Sequence, residues 1–353
     1  MKVFYCWTFY QFLNMVNIKS EYFRDENAIL YIADFENTNR YQTNIQYCND
    51  RKLFIEIEKV DFASISNGGL SNDKLAKYFL NEFKGNKVDE IFLPGFWVDS
   101  LKLVRALYTL NHNIKISLVE EGINAPTIKQ LYWDLPFLKR LYYGGPTYYR
   151  YKTHIVDYYR YDISPEKEMQ KYHHMPLHKV VKGTFCYSML KEGNEKPIES
   201  IQEASCIFLD GNFRKDIDEN LEDVYKKVFG LINKYTSSCI VRLHPSGLQR
   251  SKIFDDIGVT IDRTNVTLEN ISVRNNLDGK IFITSNSSGA INMKRVFGYD
   301  TYLILLYKIL NPAENMSYVP NLPVDNEYVF APESLQGFDS ILRSLKDRIK
   351  NNQ

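Results

Sequence analysis

The feature that most constrains this chain is a regular alternation between short runs of β-branched and aromatic residues and longer stretches with helical spacing. Five runs in the first part of the chain have the composition and length of buried strands: 3–7, 28–34, 53–58, 90–93 and 114–119. Between them lie patterns in which apolar residues recur three and four positions apart, at 10–22, 72–83 and 98–110. Alternation of this kind predicts βαβ units and therefore a parallel sheet.

The alternation is interrupted at 139–182, where glycines and prolines fall without a clean period: Gly144, Gly145, Pro146, Pro165 and Pro176. Beyond this segment the strand patterns resume at 205–209, 239–243, 259–262, 280–284 and 302–306, and the helical patterns at 221–234, 290–297 and 333–350. We therefore expect an α/β protein with two tandem Rossmann-like, doubly wound domains at 1–150 and 183–353, joined by a linker at 151–182. Because open parallel sheets bind ligands at the carboxyl ends of their strands, we expect a ligand held between the two domains.

Composition excludes several classes of protein. Basic and acidic residues number 44 and 43, so no net field recruits a polyanion and a nucleic-acid partner is disfavoured. The five cysteines are scattered without a C-x-x-C motif, which predicts reduced thiols and a cytoplasmic protein. The apolar N-terminus resembles a signal peptide, but Asn14 and Asn17 interrupt it, and no stretch reaches the roughly 18 apolar residues of a spanning helix. We expect a soluble or peripheral protein.

Several motifs of nucleotide, metal and hydrolytic chemistry are absent. The sequence contains no G-x-G-x-x-G, no G-x-x-x-x-G-K-[ST], no H-E-x-x-H and no G-x-S-x-G. His173, His174 and His178 form a local cluster, but Pro176 prevents them from sharing one face of a helix. We therefore expect no metal site.

An acidic pair follows the last strand pattern of the first domain. Glu120 and Glu121 come directly after 114–119, and Gly122 can adopt the positive φ of an immediate turn. A carboxylate in this place can accept a proton from an attacking hydroxyl group. The same residues would also serve as a solvated strand end and turn, and the sequence does not distinguish the two glutamates.

A His-Pro pair follows the second strand pattern of the second domain. Pro245 biases His244 toward an extended backbone at the end of 239–243. An imidazole can donate a proton or a hydrogen bond to a departing phosphate oxygen, because its reference pKa of about 6.5 makes both forms accessible. A purely structural histidine is the alternative. Arg242, on the other face of the strand, is expected to be structural.

A serine cluster follows another strand of the second domain. The strand pattern 280–284 runs into Ser285, Asn286, Ser287, Ser288 and Gly289, and a helix begins near residue 290. Hydroxyls and unpaired backbone N–H groups at a helix N-terminus suit a phosphate group. Plain N-capping by Ser287 or Ser288 is compatible with the same pattern.

A weaker cluster ends the first strand of the second domain. Asp210, Gly211 and Asn212 follow the strand pattern 205–209. They would either line a nucleotide pocket at that strand end or form an ordinary turn.

The order of these clusters resembles that in bacterial sialyltransferases with the GT-B fold, notably glycosyltransferase family 52 and the capsular polysialyltransferases. Those proteins share an acidic-acidic-Gly triplet, a His-Pro pair and a Ser-Ser or Ser-Thr pair, matched here by Glu120-Glu121-Gly122, His244-Pro245 and Ser287-Ser288. The N-terminal WTFYQFL also resembles the family 52 pattern of a strand followed by Thr-Pro-Leu-Gln. Thr8 and Gln11 are retained, whereas Phe9 and Tyr10 replace Pro-Leu. The resemblance covers most of the chain in layout, although few residues carry it.

The resemblance implies an inverting, metal-independent transfer of sialic acid from CMP-sialic acid to a glycan acceptor, in the synthesis of bacterial surface polysaccharide or lipooligosaccharide. Glu120 or Glu121 would act as the base on the acceptor hydroxyl, and His244 would assist the departure of CMP. Neighbouring residues would complete the donor site: Gly122, Asp210, Gly211, Asn212, Pro245, Ser287, Ser288 and Gly289. The first domain would lie on the acceptor side, the second would bind the nucleotide sugar, and no cofactor besides the donor substrate is implied.

Two alternatives stay open. The nearest alternative is a GT-B transferase that uses another activated sugar, such as CMP-Kdo or a UDP- or GDP-sugar. The other is a non-catalytic glycan-binding relative. The stretch 139–161 contains eight Tyr and five Lys or Arg, a mixture that suits a membrane interface with a lipid-linked glycan. Packing of these tyrosines across the domain junction explains the same composition without a membrane, and we favour it.

Overall fold

A computed structural model describes residues 1–33, 42–61, 65, 74–96, 98–120, 138, 151–161, 172–193, 196–211, 221–244, 251–264, 266–285, 287–310 and 327–351. The chain divides into two units, Met1–Gly193 and Asn194–Gln353. Each unit is built on its own sheet and has its own hydrophobic core.

Among the described residues, the sheet of the first unit has seven strands, and each neighbouring pair of these is parallel. The strands are β1 (Lys2–Cys6), β2 (Ala28–Ala33), β3 (Glu56–Val60), β4 (Glu90–Leu93), β5 (Lys115–Val119), β6 (Ile155–Arg160) and β7 (His173–Pro176). Their order across the sheet is β3-β2-β1-β4-β5-β6-β7. The direction of the strand order reverses between β1 and β4, which is where doubly wound sheets open a crevice at their carboxyl edge.

Four described helices lie between these strands, α1 (Phe9–Tyr22), α2 (Gln42–Asp50), α3 (Lys74–Glu82) and α4 (Val98–Leu110), and α5 (Phe185–Lys191) follows β7. A capping box fixes the start of α1. The Thr8 side chain accepts a hydrogen bond from the Gln11 backbone N–H, and the Gln11 side chain returns to the Thr8 backbone. Thr8 and Gln11 are the two residues shared with the Thr-Pro-Leu-Gln pattern, so part of that pattern has a local role in starting the helix.

The segment that we expected to be an interdomain linker, 151–182, belongs instead to the first sheet. β6 pairs with β5, and β7 pairs with β6, so the described part of this segment extends the sheet by two strands. α5 then packs against α1, which brings the end of the unit to Gly193 rather than to residue 150. The pattern concealed β7 because its four residues, His-His-Met-Pro, are exposed or half-buried and show no apolar run.

The described part of the second unit contains a sheet of six strands, again all parallel. They are β8 (Cys206–Leu209), β9 (Cys239–Arg242), β10 (Thr260–Asp262), β11 (Ile281–Thr284), β12 (Tyr302–Leu305) and β13 (Val329–Phe330), in the order β10-β9-β8-β11-β12-β13. The reversal of strand order falls between β8 and β11. This arrangement repeats that of the first six strands of the first unit and confirms the expected α/β class with two doubly wound domains.

The described helices of the second unit are α6 (Glu199–Glu203), α7 (Leu221–Tyr235), α8 (Ser251–Ile257), α9 (Leu268–Arg274), α10 (Ser288–Arg295), α11 (Tyr307–Leu310) and α12 (Leu335–Asn351). α7 and α12 pack against each other and contribute Phe229 and Leu342 to the core of this unit. β8 and β11 are buried along their whole length, as expected for the central strands of a parallel sheet. None of the described helices has the length and apolar character needed to cross a bilayer.

Candidate functional site

A buried carboxylate lies where the strand order of the first sheet reverses. Asp99, in the first turn of α4, accepts hydrogen bonds at Oδ2 from the Tyr5 hydroxyl and from Trp7 Nε1, the latter at 2.6 Å. Burial raises the pKa of Asp99, and the hydrogen bonds from Tyr5 and Trp7 oppose that shift. The pKa of Tyr5 is also raised by burial, so the phenol keeps its proton and remains a donor. Asp99 therefore ties the carboxyl end of β1 to the start of α4.

We expect Asp99→Ala to lower the free energy of unfolding of the first unit by about 3 kcal/mol, because two buried donors lose this acceptor. The three Trp residues of the chain, at positions 7, 97 and 133, all lie in the first unit. Trp fluorescence during urea unfolding therefore follows that unit and measures the change.

Asp89→Ala is the matched control for this variant. Asp89 is 53% exposed and pairs with the N-terminal amino group at the surface, so we expect a loss below about 1 kcal/mol. A loss for Asp99→Ala no larger than this would contradict an anchoring role.

Asp99→Asn tests the pH dependence of stability. Because the pKa of Asp99 is raised in the folded state, wild-type stability should fall relative to Asp99→Asn as the pH rises from about 4 through the folded pKa.

Glu120 lies directly after β5 and is held at both carboxylate oxygens. The Tyr10 hydroxyl donates to Oε1 at 3.2 Å, and the backbone N–H of Tyr161 donates to Oε2 at 3.2 Å. Asn14 Nδ2 donates to the Glu120 carbonyl oxygen at 3.1 Å, and the Tyr161 hydroxyl donates to Asn14 Oδ1 at 3.1 Å. Glu120 has 0% of its surface exposed, so the alternative of a solvated strand end is wrong for this residue. An oriented carboxylate of this kind can accept a proton.

The other two members of the acidic motif, Glu121 and Gly122, lie outside the described residues. Their assignment as base and as donor-site residue stays a prediction.

In the second unit, the predicted motifs follow three adjacent strands, β9, β8 and β11. Asp210 comes directly after β8 and is buried. Its backbone N–H donates to the Arg242 carbonyl at 2.9 Å, and the Tyr225 hydroxyl of α7 donates to its Oδ1 at 3.3 Å. Gly211 is also buried, whereas Asn212 lies outside the described residues. Asp210 is therefore fixed by the neighbouring strand and by α7.

His244 lies two residues beyond β9 and is half-buried. Arg242, at the strand end, forms an ion pair with Asp262, and its NH2 group donates to the Val266 carbonyl at 2.5 Å. These contacts support the structural role expected for Arg242 and fix the chain just before His244. His244 thus lies at the carboxyl edge of the sheet, and an imidazole can donate a hydrogen bond to an anion. Pro245 lies outside the described residues.

The serine motif forms the junction between β11 and α10. Ser287 is the N-cap residue of α10, as one interpretation of the sequence predicted, and its hydroxyl accepts a hydrogen bond from the Gly289 N–H at 3.3 Å. The Thr284 hydroxyl accepts from the Ser287 N–H at 3.0 Å. The capping hydroxyl retains its own proton as a donor, and the first-turn N–H groups have no carbonyl partner within the helix. This edge can therefore bind an anion, with Ser288 as the first residue of the helix.

Gly289 allows close packing at the same junction. A Cβ atom at this position would lie 2.8 Å from Cδ2 of Leu268, the first residue of α9, and 3.4 Å from Ser287 Oγ. A larger residue would therefore displace Leu268 or the capping serine.

A second buried carboxylate, Glu269, lies in the first turn of α9 and was not predicted. Burial raises the pKa of Glu269, and its own backbone N–H, the charge of Arg242 and the Thr267 hydroxyl oppose that shift. Thr267 is the N-cap of α9. An acid two residues after a Thr marks a helix start in the sequence, but it gives no indication that the acid is buried near Arg242.

Within the described ranges, no group of three or more His, Cys, Asp or Glu side chains could hold a metal ion. Two members of the histidine cluster have other neighbours. His173 Nδ1 lies 2.9 Å from Asp157 Oδ1, and the His178 ring packs against the Tyr22 ring.

Neither protein-family models nor curated protein sequences match the chain. Solved structures do match it. An α/β-galactoside α-2,3-sialyltransferase from Photobacterium phosphoreum has a TM-score of 0.55 at 7% identity, over 94% of this chain and 97% of that one. A putative UDP-N-acetylglucosamine 2-epimerase from Listeria monocytogenes has a TM-score of 0.59 at 11% identity, over 100% and 88%. The UDP-GlcNAc 2-epimerase from Neisseria meningitidis bound to UDP-GlcNAc has a TM-score of 0.54 at 11% identity, over 99% and 92%.

The chain has the GT-B fold. At these identities the likeness concerns the fold alone, and it agrees with the two sheets described above. The GT-B architecture expected from the sequence motifs is therefore confirmed, and the chemistry depends on the residues at the two carboxyl edges.

Proposed function

We propose that the chain is a GT-B glycosyltransferase that moves sialic acid from CMP-sialic acid to a hydroxyl group of a glycan acceptor, with inversion at the anomeric carbon. One observation supports this most directly. Glu120, His244 and Ser287 all lie at the carboxyl ends of parallel strands, the edge at which open α/β sheets bind their ligands. These are the positions that carry the motif resemblance.

The second unit supplies groups suited to a single phosphate. The donors at the start of α10 and the imidazole of His244 can stabilise the charge that develops on departing CMP. A diphosphate leaving group would require more positive charge, and Arg242 at this edge is paired with Asp262. This is the physical reason to favour a CMP-linked sugar.

The first unit supplies the base. As the acceptor oxygen forms its bond to the anomeric carbon, its proton passes to the Glu120 carboxylate and the bond from the anomeric carbon to the phosphate oxygen breaks. His244 donates a hydrogen bond or a proton to the departing CMP. The sugar is thus transferred with no change in oxidation state. We place the reaction at the cytoplasmic side of surface polysaccharide or lipooligosaccharide synthesis, with a glycan acceptor that is free or lipid-linked.

A panel of donors tests the proposal. The purified chain is incubated with CMP-sialic acid, CMP-Kdo or UDP-GlcNAc, each with and without glycan acceptors, and nucleotide release and acceptor mass are measured. We expect CMP release from CMP-sialic acid and an acceptor that gains one sialic acid. Turnover of CMP-Kdo or of a UDP-sugar alone, or epimerisation of UDP-GlcNAc, would contradict the proposal. Glycan binding without turnover of any donor would indicate a non-catalytic relative.

We expect Gly289→Ala to weaken CMP binding several-fold and to lower the free energy of unfolding by about 1 kcal/mol. The added Cβ would press on Leu268 and on the capping Ser287, and thus disturb the N–H groups proposed to face the phosphate. Isothermal titration with CMP and thermal unfolding measure the two effects.

Gly230→Ala is the matched control. Gly230 is exposed on α7, and a Cβ there would meet nothing within 4 Å. We expect a gain of about 0.5–1 kcal/mol from the better helix former and unchanged CMP affinity. Equal CMP affinity in both variants would contradict the assignment of Gly289 to the donor site.

A further inference from the structure

One hydrogen bond connects the first turn of α1 to the carboxylate after β5. The Tyr10 hydroxyl donates to Glu120 Oε1 at 3.2 Å, across 110 residues of sequence. Tyr10 is 9% exposed and Glu120 is 0% exposed, so the bond lies away from bulk water. In a region of low dielectric such a bond has a larger electrostatic effect on the carboxylate than it would in water.

The residues around Tyr10 hold this geometry in place. The capping box of Thr8 and Gln11 fixes the start of α1 and therefore the position of its first turn. One turn further along the helix, Asn14 donates to the Glu120 carbonyl and accepts from the Tyr161 hydroxyl. One side-chain contact and one main-chain contact of Glu120 thus come from residues one turn apart on α1.

Three charged groups on the neighbouring elements have the following contacts. The guanidinium of Arg160, at the end of β6, lies over the Tyr158 ring. Asp99 of α4 accepts from Tyr5 and Trp7. On α1 the ammonium of Lys19 donates to the carbonyls of Phe23 and Arg24 at the far end of the helix. Two neutral donors, the Tyr10 hydroxyl and the Tyr161 N–H, are among the groups that bind the Glu120 carboxylate.

We propose that Tyr10 is a positioning residue for Glu120, holding its carboxylate ionised and oriented to receive the proton of the acceptor hydroxyl. The proposal rests on the proposed role of Glu120 as base. Tyr10 stands where the Thr-Pro-Leu-Gln pattern has leucine, and a leucine side chain could donate no hydrogen bond to Glu120. Tyr10 acts through Glu120 and needs no contact with the substrate.

Tyr10→Phe tests the proposal, because phenylalanine keeps the buried ring and removes only the donor. On the acidic limb of the pH profile, we expect kcat to fall about tenfold while the KM for the donor stays within about twofold. We also expect the acidic limb of the kcat profile to move up by about one pH unit, because the ionised carboxylate loses a stabilising donor. Above that limb, the rates of variant and wild type should converge.

Tyr22→Phe is the matched control, since Tyr22 lies at the other end of α1 and its hydroxyl donates to the Pro176 carbonyl. We expect its pH profile to coincide with that of wild type. An acidic limb that is unmoved in Tyr10→Phe would overturn the proposal, and so would an equal shift in both variants.

A titration without turnover separates this proposal from the proposed function. In protein labelled with ¹³C at the glutamate carboxyls, the resonance of Glu120 is identified by its absence in Glu120→Gln. We expect its titration midpoint to rise by about one pH unit in Tyr10→Phe and to stay unchanged in Tyr22→Phe. If the wild type turns over no nucleotide sugar, the transferase proposal fails while this titration still decides whether Tyr10 controls Glu120. An unchanged midpoint would exclude such control even in an active enzyme.

Discussion

Glu120→Gln should lower kcat for transfer from CMP-sialic acid by about 10²- to 10⁴-fold, because a carboxamide cannot take the proton of the acceptor hydroxyl. The substitution suits the site. The Tyr161 N–H can still donate to the amide oxygen, while the Tyr10 hydroxyl can turn from donor to acceptor and face the amide nitrogen. Folding should therefore be retained, and CMP affinity, measured by isothermal titration, should stay near that of wild type.

Glu82→Gln provides the control for this substitution, because Glu82 lies on the exposed side of α3. Its kcat should match that of wild type. Glu121→Gln decides between the two neighbouring glutamates. Full activity in Glu120→Gln together with a large loss in Glu121→Gln would identify Glu121 as the base. Full activity in both variants would show that neither glutamate takes part in the reaction.

The sheets were predictable from the sequence because their central strands are buried on both faces. β2 and β8 are continuous apolar runs, and β4 and β11 each contain three consecutive apolar residues. Helical spacing between the strands indicated that the connections are crossovers. Parallel pairing follows from that alternation. The edge strands carry less information, since β3 and β7 are half exposed and hold polar residues that a strand pattern does not require. For that reason β7 was hidden in the expected linker.

The candidate site was predictable only where residue type and strand end coincide. Glu120, His244 and Ser287 each follow an apolar run, and their positions at the carboxyl edges needed no knowledge of packing. Asp99 and Glu269 gave no comparable signal. Asp99 is a single acid in a helical pattern, and Glu269 lies outside the helical patterns found in the sequence. The significance of each arises from partners that are distant in sequence, such as Tyr5, 94 residues from Asp99.

Burial also changed the interpretation of Glu120 itself. From the sequence, an acidic pair after a strand and before a glycine was compatible with a solvated turn as well as with a site. The hydrogen bonds from Tyr10 and Tyr161 distinguish the two. Burying a carboxylate costs free energy unless hydrogen bonds compensate for the lost water, and here both carboxylate oxygens accept one. Such long-range contacts depend on the packing of α1 against the sheet, which no local pattern encodes.

His244→Asn should lower kcat for transfer from CMP-sialic acid by about 10²- to 10³-fold, because the side chain loses its ability to donate a proton to departing CMP. β9 should keep its place, since Arg242 remains paired with Asp262 and bonded to the Val266 carbonyl. Steady-state kinetics across pH measures the effect, and His112→Asn, at the surface turn after α4, should behave as wild type.

Proton donation and phosphate binding by the His244 imidazole predict different effects on kcat, CMP affinity and the pH profile. If His244 supplies a proton, the variant should lose the basic limb of the kcat profile while its affinity for CMP changes little. If His244 only binds the phosphate through a hydrogen bond, CMP affinity and kcat should fall together and the pH profile should keep its shape. Unchanged kcat and unchanged CMP affinity would leave His244 as a structural residue at the end of β9, and the single-phosphate argument for a CMP-linked donor would lose its main support in the second unit.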